Sequence, residues 1–481
     1  MALAPLIVAS SIAASTHPTR RFYLFRLGFV AGLVGFAGTL YWVVGVMQLY
    51  GGLATPVAIL VALLLWAYLS IYTGVFALLV GAAVRRWGVS GVWLAPAFWV
   101  ATEWLRASVG LHFPWVLIGA SQATVVPIAQ LASVFGVFGL SALLALAGTA
   151  AAAVALSQRP AHRRGAIAVG VLIVIVAVSG VMRVTYGRLA RSGTPVRVGL
   201  IQGNVDQNEK YDQAFRDAIL GRYIALSRRA IAAGAEVVIW PEASTPFYFD
   251  AEMVLSEPIR RLAVQSRVPF IIGTDHFERS RDGAPPRYYN SAVLLGTDGR
   301  SLASYRKMQL VPFGEYVPMK NLLFFVGPLI EAVSDFSAGD DPVVFDVEGR
   351  RISVAICYES VYPWISREFV QRGSQLLATI TNDAWFGTSS AARQHFDQGA
   401  LRAIEEGRFV VRSANTGISG AVDPYGRTMA ATPLFTAEAI TVDVRLLDHR
   451  TIYSWIGDVV AWLALAVTAL VVATGRRRRA A

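Results

Sequence analysis

The apolar positions of this chain fall into two regimes. Towards both ends they run almost unbroken over residues 27–49, 56–84, 89–105, 128–156, 166–182 and 459–474, whereas from about residue 196 to 444 they come in short bursts cut by polar turns. A helix rises roughly 1.5 Å per residue and a bilayer core needs about 20 apolar residues, so these long runs predict membrane-spanning helices. The run 56–84 is long enough to tilt, and 89–105 is interrupted by Pro96. Residues 1–15 are apolar but make only about half a crossing, which fits a truncated span or a misplaced start. With no basic residues ahead of them, they read poorly as a signal peptide.

In the middle region the bursts have strand length. Residues 196–201, 236–240, 269–273, 291–295, 343–347, 352–356, 376–381, 409–413 and 439–444 alternate with helical stretches such as 213–233. That alternation predicts an α/β domain built on a central sheet, and about 250 residues suffice for one large core. The expected organisation is a helical membrane domain over 1–184, an α/β domain over 196–446, and a last transmembrane helix over 456–481.

Composition agrees: 55% hydrophobic and 16% charged residues in 481 exceed the apolar content of an ordinary soluble protein. The net charge of +11 could suggest nucleic acid, but the basic residues sit in short clusters between apolar runs and form no single basic face. Arg20 with Arg21, Arg85 with Arg86, Arg163 with Arg164, and Arg476 to Arg479 fall at every second loop. The positive-inside rule therefore places all four in the cytoplasm and the α/β region outside. No nucleic-acid partner is expected, and the Arg tail reads as a stop-transfer anchor.

Chemistry-bearing residues recur at strand ends. The only cysteine, Cys357, closes the apolar run 352–356, and Glu359 follows two residues later. A lone cysteine is ordinarily an inert buried hydrophobe, so the thiol needs partners before it reads as a nucleophile. The strand-length run 236–240 is stopped by Pro241, which delivers Glu242 just past the strand end; the bland alternative is a solvated loop carboxylate. Residues 305–315 place Lys307 and Glu315 in a stretch poor in charge, where an exposed ion pair is the alternative. Thr381-Asn382-Asp383-Ala384-Trp385-Phe386-Gly387 ends another apolar strand with side chains suited to a pocket. Glu242 can take the thiol proton, while the Lys307 ammonium favours the thiolate and stabilises an oxyanion. Of the six histidines, His395 is the one plausible alternative partner for Cys357, with a structural role as its competitor. No zinc-ligand spacing occurs, and neither metal nor cofactor is expected.

These residues carry a resemblance. Trp-Pro-Glu at 240–242, the Lys307 segment and Ile-Cys-Tyr-Glu at 356–359 resemble the Glu-Lys-Cys signature of the nitrilase superfamily. The strings at 310–318 (LVPFGEYVP), 202–204 (QGN), 381–387 (TNDAWFG) and 414–420 (ANTGISG), with EWLR at 103–106 and FPW at 113–115, resemble one member, the bacterial apolipoprotein N-acyltransferase family. The resemblance covers nearly the whole chain. It implies a multi-span helical membrane bundle carrying a nitrilase-like αββα sandwich that faces the periplasm from the bacterial inner membrane. It implies Cys357 as nucleophile, Glu242 as general base and acid, and Lys307, with the Tyr358 N–H, as oxyanion stabiliser. Glu315, Glu359 and Trp385 occupy supporting or substrate-binding positions. The implied reaction moves a phospholipid's acyl chain to the cysteine as a thioester, then to the α-amine of a lipoprotein's N-terminal diacylglyceryl-cysteine.

Two other readings stay open on the residues alone: a membrane-anchored nitrilase-type amidase in which water replaces the amine, and a scaffold or transporter whose α/β domain only binds. The run 322–326 reads either as an arm dipping into the bilayer or as a core helix. Glu103 and Arg106, at a membrane boundary, either pair or meet a lipid headgroup. Three departures from the family pattern stand out: six full spans where eight are usual, Tyr211 where a Trp is common, and Asp206 where a Pro is common.

Overall fold

The computed structural model describes residues 3–16, 21–210, 212–279, 285–312, 314–316 and 336–477. Tyr211, the run 322–326, Arg20 and the end of the Arg tail lie outside the described residues. The chain divides into two compact units, one of Met1–Gln48, Gly52–Gly187 and Trp455–Ala481, the other of Leu49–Gly51 and Arg188–Ser454.

The first unit is helical. Four stretches, Arg21–Thr39, Thr55–Ser108, Ala132–Leu156 and Pro160–Arg191, are long and apolar enough to cross a membrane, and Ala4–Thr16 and Val459–Thr474 are shorter apolar helices. In the helix Pro160–Tyr186 only His162, Val169 and Gly180 are buried, so its other valines and its isoleucines are exposed or half-buried, as hydrocarbon solvent allows.

Three expected spans differ in detail. The run 27–49 is two helices, Arg21–Thr39 and Trp42–Leu49, because Thr39 Oγ1 bonds back to the Gly35 carbonyl at 2.9 Å and the next bonds tighten to Val43 N–Leu40 O. Pro96 does not interrupt the third span but starts its helix, Ala95–Ser108, after a tighter turn over Gly88–Leu94. The last apolar helix runs past the expected end of its span, over Val459–Arg477. Glu103 and Arg106 are buried and hold backbone: Glu103 accepts from Ile118 N at 2.6 Å, and Arg106 donates to the Phe113 and Trp115 carbonyls at 3.0 and 2.8 Å.

The second unit is a sandwich of two six-stranded sheets. Strands are β1 Thr194–Gln202, β2 Val237–Ile239, β3 Phe270–Glu278, β4 Arg287–Leu295, β5 Ser301–Arg306, β6 Val344–Val347, β7 Arg350–Ile356, β8 Leu376–Thr381, β9 Val410–Ala414, β10 Gly420–Val422, β11 Thr428–Ala431 and β12 Glu438–Leu446. One sheet has the order β12-β1-β2-β3-β4-β5, the other β11-β10-β9-β8-β7-β6. In each, three central strands run parallel and the outer ones antiparallel. The sheets face each other, with Ser413 Oγ of β9 donating to the Ile201 carbonyl of β1 at 2.8 Å. Helices Arg216–Ala232 and Met253–Ser266 cover the first sheet, and Pro363–Gln371 and Ala391–Glu406 the second. The strands β5, β10 and β11 were not visible as apolar bursts, since β5 and β11 are made mostly of exposed and half-buried residues.

Parallel central strands end on the same side of each sheet, so the loops after β2, β7 and β8 gather at one rim. Trp240, stacked on Tyr223 with its Nε1 donating to Ser227 Oγ at 2.8 Å, pins the end of β2 to the helix beneath it. Gly273 must be glycine, because a Cβ there would stand 2.2 Å from the Pro241 carbonyl and 2.7 Å from the Glu242 Cα.

Candidate active site

Glu242 is buried just beyond β2 and accepts from both sheets. Its Oε1 takes Asn290 Nδ2 of β4 at 2.7 Å and Lys307 Nζ at 3.5 Å, and its Oε2 takes the Asn382 N–H, after β8, at 2.7 Å. Ala243, the next residue, has φ +44°. Lys307, immediately after β5 and 1% exposed, sits between two carboxylates, with Glu315 Oε1 at 2.8 Å. Burial opposes its charge, but the Glu315 and Glu242 carboxylates outweigh burial and raise its pKa above the ordinary lysine value. Asn290 Nδ2 also reaches Glu315 Oε1 at 3.1 Å, and Glu315 Oε2 accepts from Val311 N at 2.8 Å.

The second sheet contributes the elbow. Cys357 follows β7 with φ +53°, a left-handed conformation that costs a non-glycine residue about 1–2 kcal/mol. The turn is held by Glu359, which is fully buried. Its Oε2 accepts from Ile356 N at 2.7 Å, and its Oε1 crosses to the other sheet, accepting from Tyr305 OH and Met308 N at 2.7 Å and Gln309 N at 3.2 Å. Burial pushes the Glu359 carboxyl up to about 7 against these donors. Through Met308 and Gln309, Glu359 fixes the backbone that follows Lys307.

Cys357 is half-buried. Its pKa is raised, first by burial and then by the Glu242 charge, while Lys307 pulls it down. The resting group is therefore the neutral thiol, with Glu242 and Lys307 both close enough to act on its ionisation. Such a thiol attacks only as its proton leaves to a base. His395 is fully buried, and its Nε2 lies 3.0 Å from the Cys357 carbonyl oxygen; burial and the Arg412 charge keep the imidazole below its ordinary pKa.

The structure thus brings together Glu242, Lys307, Glu315, Cys357 and Glu359. Tyr358 is buried, its ring edge-on to Tyr362 at 5.1 Å. Trp385 is 37% exposed on the turn Asp383–Phe386, its ring edge-on to Tyr50 at 4.7 Å. Sequence reasoning missed Asn290, whose only signal was a polar residue just ahead of the apolar run 291–295, and it gave no role to Lys210, a second buried lysine influenced by Asp275 and Glu242. The strings at 202–204 and 414–420 meet each other: Gln202 Oε1 accepts from Ser419 Oγ at 2.7 Å and the Asn204 N–H donates to the Asn415 carbonyl at 2.8 Å.

A two-sheet sandwich of this kind, with its polar cluster at the rim of the parallel strands, defines an enzyme of the carbon-nitrogen hydrolase class, and the Carbon-nitrogen hydrolase family model matches residues 197–453. The Apolipoprotein N-acyltransferase N-terminal domain matches residues 1–150. The apolipoprotein N-acyltransferase of Geobacter metallireducens is 38% identical over 485 residues, covering 100% of this chain and 91% of that one. That of Methylococcus capsulatus is 35% identical, covering 94% and 87%. Among solved structures, the Caenorhabditis elegans NitFhit protein is 23% identical over 53% of this chain and 61% of that one, with a TM-score of 0.42. The chain belongs to the apolipoprotein N-acyltransferase family: it is a membrane-bound acyltransferase of lipoprotein biosynthesis. The hydrolase alternative is not favoured.

Proposed function

We propose that the chain moves an acyl group from a phospholipid to the α-amine of an N-terminal diacylglyceryl-cysteine through a thioester on Cys357. The observation that carries this reading is the convergence of Glu242 and Lys307 from one sheet on Cys357 from the other. In the first half-reaction Cys357 Sγ attacks the ester carbonyl as its proton passes to Glu242. The oxyanion is stabilised by the Lys307 ammonium and the Tyr358 N–H. Collapse breaks the ester C–O bond, Glu242 returns the proton to the leaving oxygen, and a lysophospholipid departs. In the second, the acceptor amine, having lost one proton to water, attacks the thioester. Glu242 takes its next proton and delivers it to Sγ as the C–S bond breaks, leaving an amide and the free thiol.

An α-amine titrates near pH 8, so a carboxylate can complete its deprotonation during attack. Glu315 holds Lys307 in place and Glu359 fixes the elbow against the Lys307 segment, while Trp385 is a substrate-contact residue at the edge of the site. The alternating basic loops support a bacterial inner-membrane location with the catalytic unit towards the periplasm.

The test is mass spectrometry of the full chain in detergent with phosphatidylethanolamine. A hydroxylamine-labile acyl mass on the Cys357 peptide, discharged by a diacylglyceryl-cysteine peptide with formation of the amide, is the expected result. Folded protein that never acquires the adduct, or loses it only to water, refutes the reading.

A further inference from the structure

His395 lies in a buried polar cluster that the reaction as written does not use. Its Nδ1 is 2.9 Å from Arg412 Nη2 and 3.0 Å from Asp383 Oδ1, and Arg412 Nη2 also donates to Asp383 Oδ2 at 2.7 Å. Asp383 Oδ1 accepts in addition from Thr381 Oγ1 at 2.9 Å. All three charged or titratable members are within a few per cent of full burial. Burial disfavours the Asp383 charge, but Arg412 and His395 outweigh it and hold the carboxyl well below the usual range. Such a cluster is costly to bury and needs a return.

The return is at the other ring nitrogen. Nε2 stands 3.0 Å from the carbonyl oxygen of Cys357, a group that can only accept, so Nε2 carries a proton and donates there, while Nδ1 faces Arg412 Nη2 and Asp383 Oδ1. Ser360 Oγ donates to the same carbonyl at 3.0 Å and sits 3.0 Å from Nε2. Two donors on one carbonyl exceed what a simple turn needs, and they act on the residue whose φ of +53° is strained.

A trans peptide is planar, with its C=O and N–H pointing in opposite directions. Fixing the Cys357 carbonyl from one side therefore fixes the Tyr358 N–H on the other. We infer that His395, oriented by Asp383 and Arg412 and assisted by Ser360, is a positioning residue that aims the Tyr358 N–H at the oxyanion formed when Cys357 is acylated. This rests on the acyl-transfer reading above. His395 is then neither the base nor a bystander in the core: it acts on the peptide that follows the nucleophile and leaves the thiol's ionisation to Glu242 and Lys307.

The distinguishing test compares two reactions of one thiol. Acylation by phosphatidylethanolamine in mixed micelles passes through an oxyanion, whereas alkylation of Cys357 by iodoacetamide does not. In the full chain, His395→Phe keeps the ring and removes the donor, and His395→Gln keeps a donor and removes the ring. His395→Phe is expected to slow acylation about 10- to 100-fold, below the about 100- to 1,000-fold of deleting an oxyanion donor outright. Its alkylation rate should stay within about threefold of the wild type, and His395→Gln should recover most of the acylation. Acylation and alkylation falling together, or Gln behaving as badly as Phe, overturns the inference and leaves His395 a packing residue. Should His395→Phe not be recovered folded, Ser360→Ala decides by the same ratio, with a smaller selective loss expected and an unselective or absent one overturning it. Wild-type protein that takes up no acyl group refutes the acyl-transfer reading; acylating wild type with unaffected variants refutes only the role of His395.

Discussion

Glu242→Gln is the substitution on which the catalytic reading turns, because it should push two reactions of the same thiol in opposite directions. Formally, Glu242, Glu315 and Lys307 sum to one negative charge, and the substitution makes that sum zero while leaving Lys307 with Glu315 at 2.8 Å. Glu242 is one of the groups that hold the Cys357 thiol up. Removing a nearby like charge lowers a pKa by about 1–3 units. A thiolate loses roughly half a decade of nucleophilicity per decade gained in population, so alkylation by iodoacetamide at pH 7.5 should quicken by about 3- to 30-fold. Acylation loses its general base, at a cost of about 100- to 10,000-fold, or about 3–5.5 kcal/mol in the barrier. The residual acylation runs through preformed thiolate, so it should climb about tenfold per pH unit from pH 7 to 9. Stopped incubations analysed by intact mass measure both rates. Slower alkylation, or acylation that stays near wild type or does not respond to pH, would refute the assignment of Glu242 as the base.

Two further outcomes follow from the same cluster. Glu359 is raised by burial from 4.5 to about 7, so its contribution to stability is complete below about pH 4.5 and is lost as pH rises through about 7, a swing of about 3 kcal/mol; Glu359→Gln cannot titrate, so the fall in Tm between pH 5 and pH 8 should be smaller in the variant than in the wild type, and an equal fall counts against the assignment. Asn290→Asp replaces the donor shared by Glu242 at 2.7 Å and Glu315 at 3.1 Å with a third carboxylate, which should cost about 2–5 kcal/mol in chemical denaturation and be partly relieved by adding Glu315→Gln.

Much of this architecture was legible because burial on both faces leaves an uninterrupted apolar signature. The strand β8 coincides with its run 376–381, and β7 ends at Ile356 as the run 352–356 implied. The site residues were legible for a related reason: a charged or reactive side chain directly after a buried strand has few places to go but the rim. What could not be read is side-chain conversation across the sandwich. Asn290 looks like any polar residue ahead of an apolar run, and only the folded sheet places it between two carboxylates. His395 was weighed as a partner for the thiol, but its contact is with the backbone of Cys357. Glu103 and Arg106 suggested a headgroup site, and the structure spends them on carbonyl and amide groups of a loop. The helix break at Leu40 came from backbone bonding that apolar counting does not register.

The division of the site between two sheets makes catalysis a test of completion. One sheet alone carries a thiol without its proton acceptor, and the other a carboxylate and a cation with nothing to activate. Glu242 gains its Asn382 bond, and Glu359 its Tyr305, Met308 and Gln309 bonds, only once the sheets have docked. A chain still folding beside a bilayer is surrounded by esters it could cleave wastefully. Splitting the reactive group from the means of activating it keeps the unfinished protein inert.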